Sequence, residues 1–256
     1  MASEFVHLHN HSDYSLLDGA QTVQTLVNTI DDLGMDSVAL TEHGNMFSVI
    51  PYYKAAKKAG IKPIIGCETY VAVGSRFEKK PRADGGWGNN HLVLLAQNYK
   101  GYQNLMKLVT FGYLDGFYYR PRVDIDLLKE HNEGIICLSG CLKGEVTEKM
   151  LKDDWDGAKE AALRFAEIFE NRFYLEVQNH GIPDEAQNIQ NMKKLAGELN
   201  LPLVCTNDAH YAKHEHWEAH DVHNCLGTGK DRDDPNRLRY ATPEFYFKTQ
   251  DQMHEM

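Results

Sequence analysis

The hydrophobic positions of the chain follow two patterns, short apolar runs and longer segments with helical spacing. Short runs bounded by polar or glycine residues predict buried strands. They occupy residues 5–9, 37–41, 61–66, 91–95, 134–139, 173–178 and 201–206. Between them, apolar residues recur every three or four positions, which predicts helices over 22–33, 47–59, 102–111 and 155–169, with another opening at Ile182-Pro183. Seven strands separated by helices predict a parallel α/β architecture that is closed, or nearly closed, into a barrel.

Side chains that bind metals cluster around the ends of these predicted strands. They are His9, His11, Asp18, His43, Glu68, His91, Cys141, Asp208 and His210. In parallel α/β folds, functional residues gather at the C-terminal ends of the strands. His91 departs from this rule because it precedes its apolar run, so either that strand begins earlier or His91 enters from an irregular segment.

The chemistry of this set indicates more than one metal ion. Nitrogen and oxygen ligands with one thiolate suit divalent zinc, manganese or iron. The number of ligands exceeds the need of one tetrahedral site. The set therefore predicts a multinuclear hydrolytic centre, and the individual residues keep simpler alternatives. His7, His9 and His11 share one side of a strand, so spacing alone does not select two of them. Cys141 by itself also fits a small buried apolar residue.

Other polar clusters have less specific interpretations. His216, His220 and His223 share a helical face but follow charged sequence, which favours a solvated helix over a second metal site. His180 follows the sixth strand, and lining the mouth of a pocket and a structural role remain equally open. The residues Tyr118, Tyr119, Arg120 and Arg122 suit either contact with a DNA backbone or a packed surface loop.

Composition limits the class of protein. A chain of 256 residues with 42% hydrophobic content buries a substantial core, and we expect a single domain. The net charge of −10 argues against binding nucleic acid through the general surface. Five cysteines without a CxxC pair indicate free thiols. No apolar run is long enough to cross a membrane, and the N-terminus lacks secretion features, so we expect a cytoplasmic location.

The end of the sequence carries a helix-starting signal. Thr249-Gln250-Asp251-Gln252 has the spacing of a capping box. Because a helix begins there and only four residues follow, we interpret residues 1–256 as one domain of a longer polypeptide, whose next region starts near 249–256.

Short motifs around the candidate ligands resemble the polymerase-and-histidinol-phosphatase (PHP) family. They are His9-Asn10-His11-Ser12, Thr41-Glu42-His43-Gly44, Gly66-Cys67-Glu68, Leu138-Ser139-Gly140-Cys141 and Asn207-Asp208-Ala209-His210. Further motifs resemble the branch of the family found at the N-terminus of bacterial replicative DNA polymerases. These are Gly101-Tyr102-Gln103-Asn104-Leu105, Asp115-Gly116-Phe117-Tyr118 and Glu176-Val177-Gln178-Asn179-His180-Gly181. The likeness covers nearly the whole chain.

The resemblance implies a distorted seven-stranded (β/α) barrel that holds two to three divalent ions of zinc, manganese or iron. The implied ligand sets are His9, His11, Glu68 and Asp208 for the first ion, Glu68, His91 and Cys141 for the second, and Asp18, His43 and His210 for the third. The first set is also the implied catalytic set. Clustered divalent ions activate water and neutralise charge on a phosphodiester, which is the chemistry of hydrolytic nucleases.

The resemblance also implies a substrate and partners. It implies proofreading by 3′→5′ exonucleolytic removal of nucleotides from a DNA 3′ end. The implied partners are DNA, the remaining polymerase domains, a separate proofreading exonuclease subunit and other replisome subunits. Two alternatives stay open: a small-molecule phosphoesterase, as in the histidinol-phosphatase branch, and a catalytically silent module that docks the exonuclease subunit. Nothing resembles the paired aspartates of a polymerase palm, so we do not expect this chain alone to extend a primer.

Overall fold

A computed structural model describes residues 5–81 and 88–256. The strands are β1 Ser37–Leu40, β2 Lys62–Ala72, β3 Asn89–Ala96, β4 Arg122–Val123, β5 Ile135–Leu138, β6 Phe173–Val177 and β7 Leu203–Cys205. The helices are α1 Val23–Asp32, α2 Val49–Lys58, α3 Tyr99–Leu114, α4 Ile125–Glu130, α5 Glu145–Leu151, α6 Trp155–Ile168, α7 Pro183–Leu199, α8 Trp217–Thr228 and α9 Gln250–Glu255. A short 3₁₀ helix, His214–His216, precedes α8.

The strands form one curled sheet of seven strands in the order β1-β2-β3-β5-β6-β7, with β4 paired to β2. The seven-stranded α/β class predicted from the sequence is confirmed. The expectation of an all-parallel sheet is wrong, because β3 runs antiparallel to both β2 and β5. Antiparallel neighbours need no crossover helix, and the sequence between residues 72 and 89 shows no helical spacing.

The segment 7–11 closes the gap between the two edges of the sheet. Ala39 of β1 donates to the carbonyl of His7 at 2.8 Å, and the His11 N–H donates to the Ala209 carbonyl, just after β7, at 2.9 Å. Asn10 and Ala209 form an isolated parallel bridge. The strand predicted over 5–9 is therefore wrong, and the seventh strand is the short β4. Residues 7–11 instead run as irregular backbone in a strand-like position, which turns the curled sheet into a distorted barrel.

Alternation along β3 separates an inner core from an outer core. Leu92 and Leu94 belong to the large cluster beneath the helices, whereas Val93 and Leu95 face the interior with Ala39. This period of two follows from strand geometry. Both faces of β3 are buried, which explains why its sequence is a continuous apolar run.

Three helices begin at residues whose chemistry favours a helix start. The Thr22 side chain accepts the Thr25 N–H and starts α1, and Pro183 occupies the first turn of α7. Thr249 and Gln252 form the predicted reciprocal capping box of α9. Among residues 5–81 and 88–256, no helix has the length and hydropathy needed to cross a membrane.

Candidate metal centre

All nine candidate ligands meet at one end of the barrel. His9 and His11 come from the closing segment, Asp18 from the loop before α1, His43 from the turn after β1, Glu68 from within β2, His91 from the start of β3, Cys141 from the turn after β5, and Asp208 and His210 from the chain after β7. The sequence predicted that these side chains converge, and no side chain of the predicted set lies elsewhere. The ends of parallel strands explain only part of the convergence, because Glu68 lies inside β2 and His91 lies near the start of β3.

Glu68 lies at the centre of the cluster and is 1% exposed. Its Oε1 is 2.6 Å from Nδ1 of His91 and 3.5 Å from Nε2 of His9. Its Oε2 is 2.5 Å from Nδ1 of His43 and 3.5 Å from Nε2 of His11. One carboxylate therefore contacts four imidazoles from three segments of the chain, so neighbouring cations would share it as a ligand.

Asp208 forms the second acidic contact point. Its Oδ1 lies 3.2 Å from Nε2 of His11, 3.4 Å from Nε2 of His9 and 3.6 Å from Nδ1 of His210. The Asp208 backbone has a φ of 45°, in the left-handed region that non-glycine residues seldom adopt. Strained backbone of this kind concentrates at functional sites.

The remaining candidate ligands flank these two carboxylates. Cys141 Sγ lies 3.9 Å from Glu68 Oε1 and 4.0 Å from His91 Nδ1. On the other side, Asp18 Oδ1 is 3.2 Å from His43 Nε2, and Asp18 Oδ2 is 4.0 Å from His210 Nε2. The cluster thus has a centre formed by Glu68, Asp208, His9 and His11. Cys141 and His91 lie on one side of it, and Asp18, His43 and His210 lie on the other.

The position of His91 follows from strand direction. β3 is antiparallel to β2, so its N-terminal end lies at the edge where the parallel strands end. His91 pairs in register with Tyr70, near the end of β2. The strand begins at Asn89, two residues before His91, so the earlier start offered from the sequence is confirmed. The antiparallel direction, which the sequence did not predict, is what puts this end of the strand at the site.

Several ligand atoms are buried without a hydrogen-bond partner, which tests whether the cluster suits metal ions. Within the described ranges these atoms are Nε2 of His9, His11 and His210, Nδ1 of His43, Oδ1 of Asp18 and Asp208, and Oε2 of Glu68. His43 Nδ1 and Glu68 Oε2 lie 2.5 Å apart, but not in hydrogen-bond geometry. An unsatisfied buried polar atom costs about 1–3 kcal/mol. Three triplets have ligand atoms within 4.8 Å of one another: His11, His43 and His210; His9, His11 and Asp208; His43, Glu68 and His91. Divalent cations among these atoms would satisfy them together, so the residues fit a metal cluster.

The charges of the cluster are strongly coupled. Burial lowers the pKa of His9, but Asp208, Glu176 and Glu68 outweigh burial and hold that pKa well above its usual value. Burial raises the pKa of Glu68, yet the imidazoles of His91, His43 and His9 keep it well below its usual range. Imidazole nitrogens that hold protons against these carboxylates must release them to bind a cation. Metal binding at this site is therefore coupled to proton release.

The family is decided by comparison with known sequences. The model of the PHP domain family matches residues 7–180. The chain belongs to the PHP domain family. It is 48% identical over 254 residues to the DNA polymerase III subunit alpha of Borreliella burgdorferi, covering 99% of this chain and 22% of that protein. It is 42% identical over 255 residues to the same subunit of Thermus aquaticus, covering 99% of this chain and 21% of that protein. The chain thus spans about a fifth of the length of these relatives.

The solved structures that align with this chain have much lower sequence identity than these relatives. An amidohydrolase from Chromobacterium violaceum has a TM-score of 0.47 at 12% identity and covers 80% of this chain and 87% of its own. A two-domain protein from Bacteroides vulgatus, which contains a predicted PHP-like metal-dependent phosphoesterase, has a TM-score of 0.44 at 18% identity. It covers 80% of this chain and 51% of its own.

Glu176 contacts the side of the His9 ring that faces away from the PHP ligand cluster. The sequence analysis assigned no role to this residue. Its Oε1 lies 2.8 Å from Nδ1 of His9, and its Oε2 accepts the Gly140 N–H at 3.0 Å. Gln178 and Thr206 also donate to Oε1. Glu176 therefore fixes the His9 ring with Nε2 facing the cluster, as carboxylates behind metal-binding histidines do. The sequence did contain a signal for this role, since two polar residues, Glu176 and Gln178, stand two positions apart at the end of an apolar strand and therefore face the same side.

Ser15 and Glu42 orient the other side of the PHP site. The Ser15 hydroxyl lies 2.9 Å from Nδ1 of His11, accepts the His43 backbone N–H at 3.1 Å and donates to Glu42 Oε2 at 2.6 Å. Glu42 also accepts the Ser12 N–H at 3.1 Å. One hydroxyl therefore connects a ligand on each of two segments to a buried carboxylate.

The helix predicted to be solvated is part of the site wall. His220 on α8 is 2% exposed, and its Nε2 lies 2.8 Å from the carbonyl oxygen of Asp18. The predicted solvated face is therefore wrong at this position, because α8 packs onto the loop that carries Asp18. His180 is fully buried between Glu185, at 2.6 Å, and the Asn207 carbonyl, at 2.9 Å. Its role is structural support of the Asp208 segment, and it does not line a pocket mouth.

Proposed function

We propose that this PHP domain is a metal-dependent phosphodiesterase of a replicative DNA polymerase III alpha subunit and removes nucleotides from DNA 3′ ends. The observation that carries the proposal is the convergence of nine ligand-type residues, seven of which have a buried ligand atom without a hydrogen-bond partner among the described residues. The relatives support DNA as the substrate, because they are replicative polymerase subunits.

We assign the metal ligands as the residues implied by the family. His9, His11, Glu68 and Asp208 hold one ion, Glu68, His91 and Cys141 a second, and Asp18, His43 and His210 a third. Two to three divalent ions of zinc, manganese or iron would activate water and stabilise negative charge on the phosphodiester when bound. The protein contributes fixed ligand orientation: Glu176 holds His9, and Ser15 holds His11. Most of the ligand side chains are buried, which would strengthen the interaction of bound cations with a phosphate.

The partners follow from the same proposal. The domain acts on the 3′ end of DNA beside the remaining polymerase domains of a longer chain, with a separate proofreading exonuclease subunit and other replisome subunits close by. Primer extension belongs to those remaining domains.

The proposal is tested by incubating the chain with Mn²⁺ or Zn²⁺ and two substrates in parallel. We expect 5′-labelled single-stranded DNA to shorten progressively from its 3′ end, because the ligand cluster suits phosphodiester hydrolysis. A 3′-terminal phosphorothioate should slow the first step, which confirms the direction. Release of phosphate from histidinol phosphate should stay much slower. Hydrolysis of histidinol phosphate alone would instead identify a small-molecule phosphoesterase, and inactivity on both substrates would identify a docking module.

A further inference from the structure

A rigid loop stands at the rim of the metal centre, between α3 and β4. Arg122, 2% exposed, clamps this loop by donating from Nε to the Gly116 carbonyl at 3.0 Å and from its guanidinium to the Glu78 carbonyl at 2.8 Å. Arg122 also pairs in register with Tyr70 of β2. Because Arg122 is buried and bonded to backbone carbonyls, it is not available on the surface to contact DNA, which was one of the two interpretations offered from the sequence. The residues between Gly116 and Arg122 are held in one place beside the site.

Arg120 lies on this loop and faces the metal centre across an aromatic ring. Its guanidinium carbon is 5.7 Å from the centre of the Tyr70 ring. That ring lies 5.2 Å from the His91 ring and 6.4 Å from the His43 ring. No ion pair or hydrogen bond of the guanidinium occurs within residues 5–81 and 88–256. An Arg stacked on an aromatic ring without an acidic partner can receive a phosphate.

Three exposed aromatic rings form a row that leads from the segment after His43 to this loop. Phe47, four residues after His43, lies 6.1 Å from Tyr113, and Tyr113 lies 6.2 Å from Phe117. These three residues, the aromatic row, are 59%, 38% and 51% exposed. Exposed aromatic side chains offer flat faces on which unpaired bases can stack. The row and Arg120 therefore supply the two contacts that a single strand requires.

We propose that Arg120 and the aromatic row bind single-stranded DNA on the 5′ side of the bond to be cleaved. Because the Tyr70 ring separates Arg120 from the imidazoles, the guanidinium contacts a neighbouring phosphate of the strand instead of the one at the metals. The chain has a net charge of −10, so binding depends on these local contacts instead of a broad basic surface. This inference rests on the proposed function, since it names how that site selects a polynucleotide.

The binding test uses a fluorescent oligonucleotide and anisotropy, with every variant in an Asp208→Asn background that prevents cleavage. We expect Arg120→Ala to weaken binding about tenfold and to reduce the slope of log K against log salt by about 0.7, the value for one phosphate contact. Phe117→Ala should weaken binding about tenfold through a lost stack and leave the slope unchanged. Blunt duplex DNA should not depend on Phe117.

Two matched controls separate these effects from general damage. Lys107→Ala removes one positive charge from an exposed position of α3. Tyr99→Ala removes an aromatic ring, 73% exposed, at the far end of the same helix, about 22 Å along its axis from Leu114. Both controls should bind within about twofold of the parent, because neither side chain borders the site.

The outcomes distinguish this inference from the proposed function. Equal binding by Arg120→Ala, Phe117→Ala and the two controls would overturn the inference, and it is the result expected if the aromatic row contacts another protein surface. In the wild-type background, Arg120→Ala should hydrolyse bis(p-nitrophenyl) phosphate as the parent does while losing about tenfold on DNA. Failure of the wild-type chain to hydrolyse either substrate would instead reject the proposed function and leave the binding result to stand by itself.

Discussion

Asp208→Asn is expected to lower phosphodiester hydrolysis about a thousandfold, the loss that corresponds to about 4 kcal/mol of transition-state stabilisation. The Oδ1 atom of Asp208 lies within 3.6 Å of three imidazoles and makes no hydrogen bond to any described residue. The substitution keeps the shape of the side chain but removes the negative charge that the cations need. Initial rates on labelled DNA with saturating Mn²⁺ would measure the effect.

The control for this substitution is Asp31→Asn, at an exposed position of α1. It makes the same chemical change outside the site and should leave the rate within about twofold of the parent, as surface substitutions usually do. Circular dichroism and thermal melting would show that both variants are folded. If the folded Asp208→Asn protein kept more than a tenth of the parent rate, Asp208 would be no catalytic ligand.

Glu176→Gln is expected to weaken metal binding about 10–100-fold, the usual effect of losing a carboxylate behind a metal-binding histidine. Glu176 contacts Nδ1 of His9 at 2.8 Å and holds the ring with Nε2 toward Glu68 and Asp208. The neutral amide removes one of the charges, with those of Asp208 and Glu68, that raise the pKa of His9. The amide also brings an NH₂ group close to Gly140, Gln178 and Thr206, which donate hydrogen bonds to the carboxylate in the parent protein.

Titration with Mn²⁺ distinguishes this positioning role from a purely structural one. We expect the activity of Glu176→Gln to recover largely at high metal concentration, because the ligand set remains complete. A folding defect would not be reversed by metal in this way. Glu167→Gln, at an exposed position of α6, is the matched control and should titrate as the parent does. Unchanged metal affinity in Glu176→Gln would contradict the assigned role.

The sequence predicted the centre of the site better than its surroundings. Strand-end positions and family motifs together identified residues such as His43 and Asp208, because short apolar runs locate the ends of strands without knowledge of their partners. Glu68 was identified although β2 continues to Ala72, past the end predicted at residue 66. Strand direction is decided by tertiary pairing, so the reversed β3 and the resulting position of His91 did not follow from apolar runs. The strand predicted over 5–9 failed for a similar reason, since residues 7–11 bridge two sheet edges that lie far apart in sequence.

The supporting residues illustrate where sequence patterns stop being informative. His220 stands on a helix that follows charged sequence, and the packing of α8 on the Asp18 loop buries it. Arg122 is charged and was a candidate for DNA contact, yet backbone carbonyls satisfy it in the interior. In both cases the partner is a backbone carbonyl, which carries no signature in the sequence. Glu176 and Glu42 carried weak signals, one as a polar residue inside an apolar strand and one beside a ligand histidine.

The metal content of the protein tests the central claim most directly. The chain should be purified without chelator, and its metal ions counted by mass spectrometry against protein concentration, beside Glu68→Gln prepared in the same way. We predict two to three divalent ions per chain for the parent, and at least one ion fewer for Glu68→Gln, since Glu68 contacts four imidazoles of the cluster. A folded parent protein that binds no divalent ion, even after dialysis against Zn²⁺, Mn²⁺ or Fe²⁺, would contradict the account.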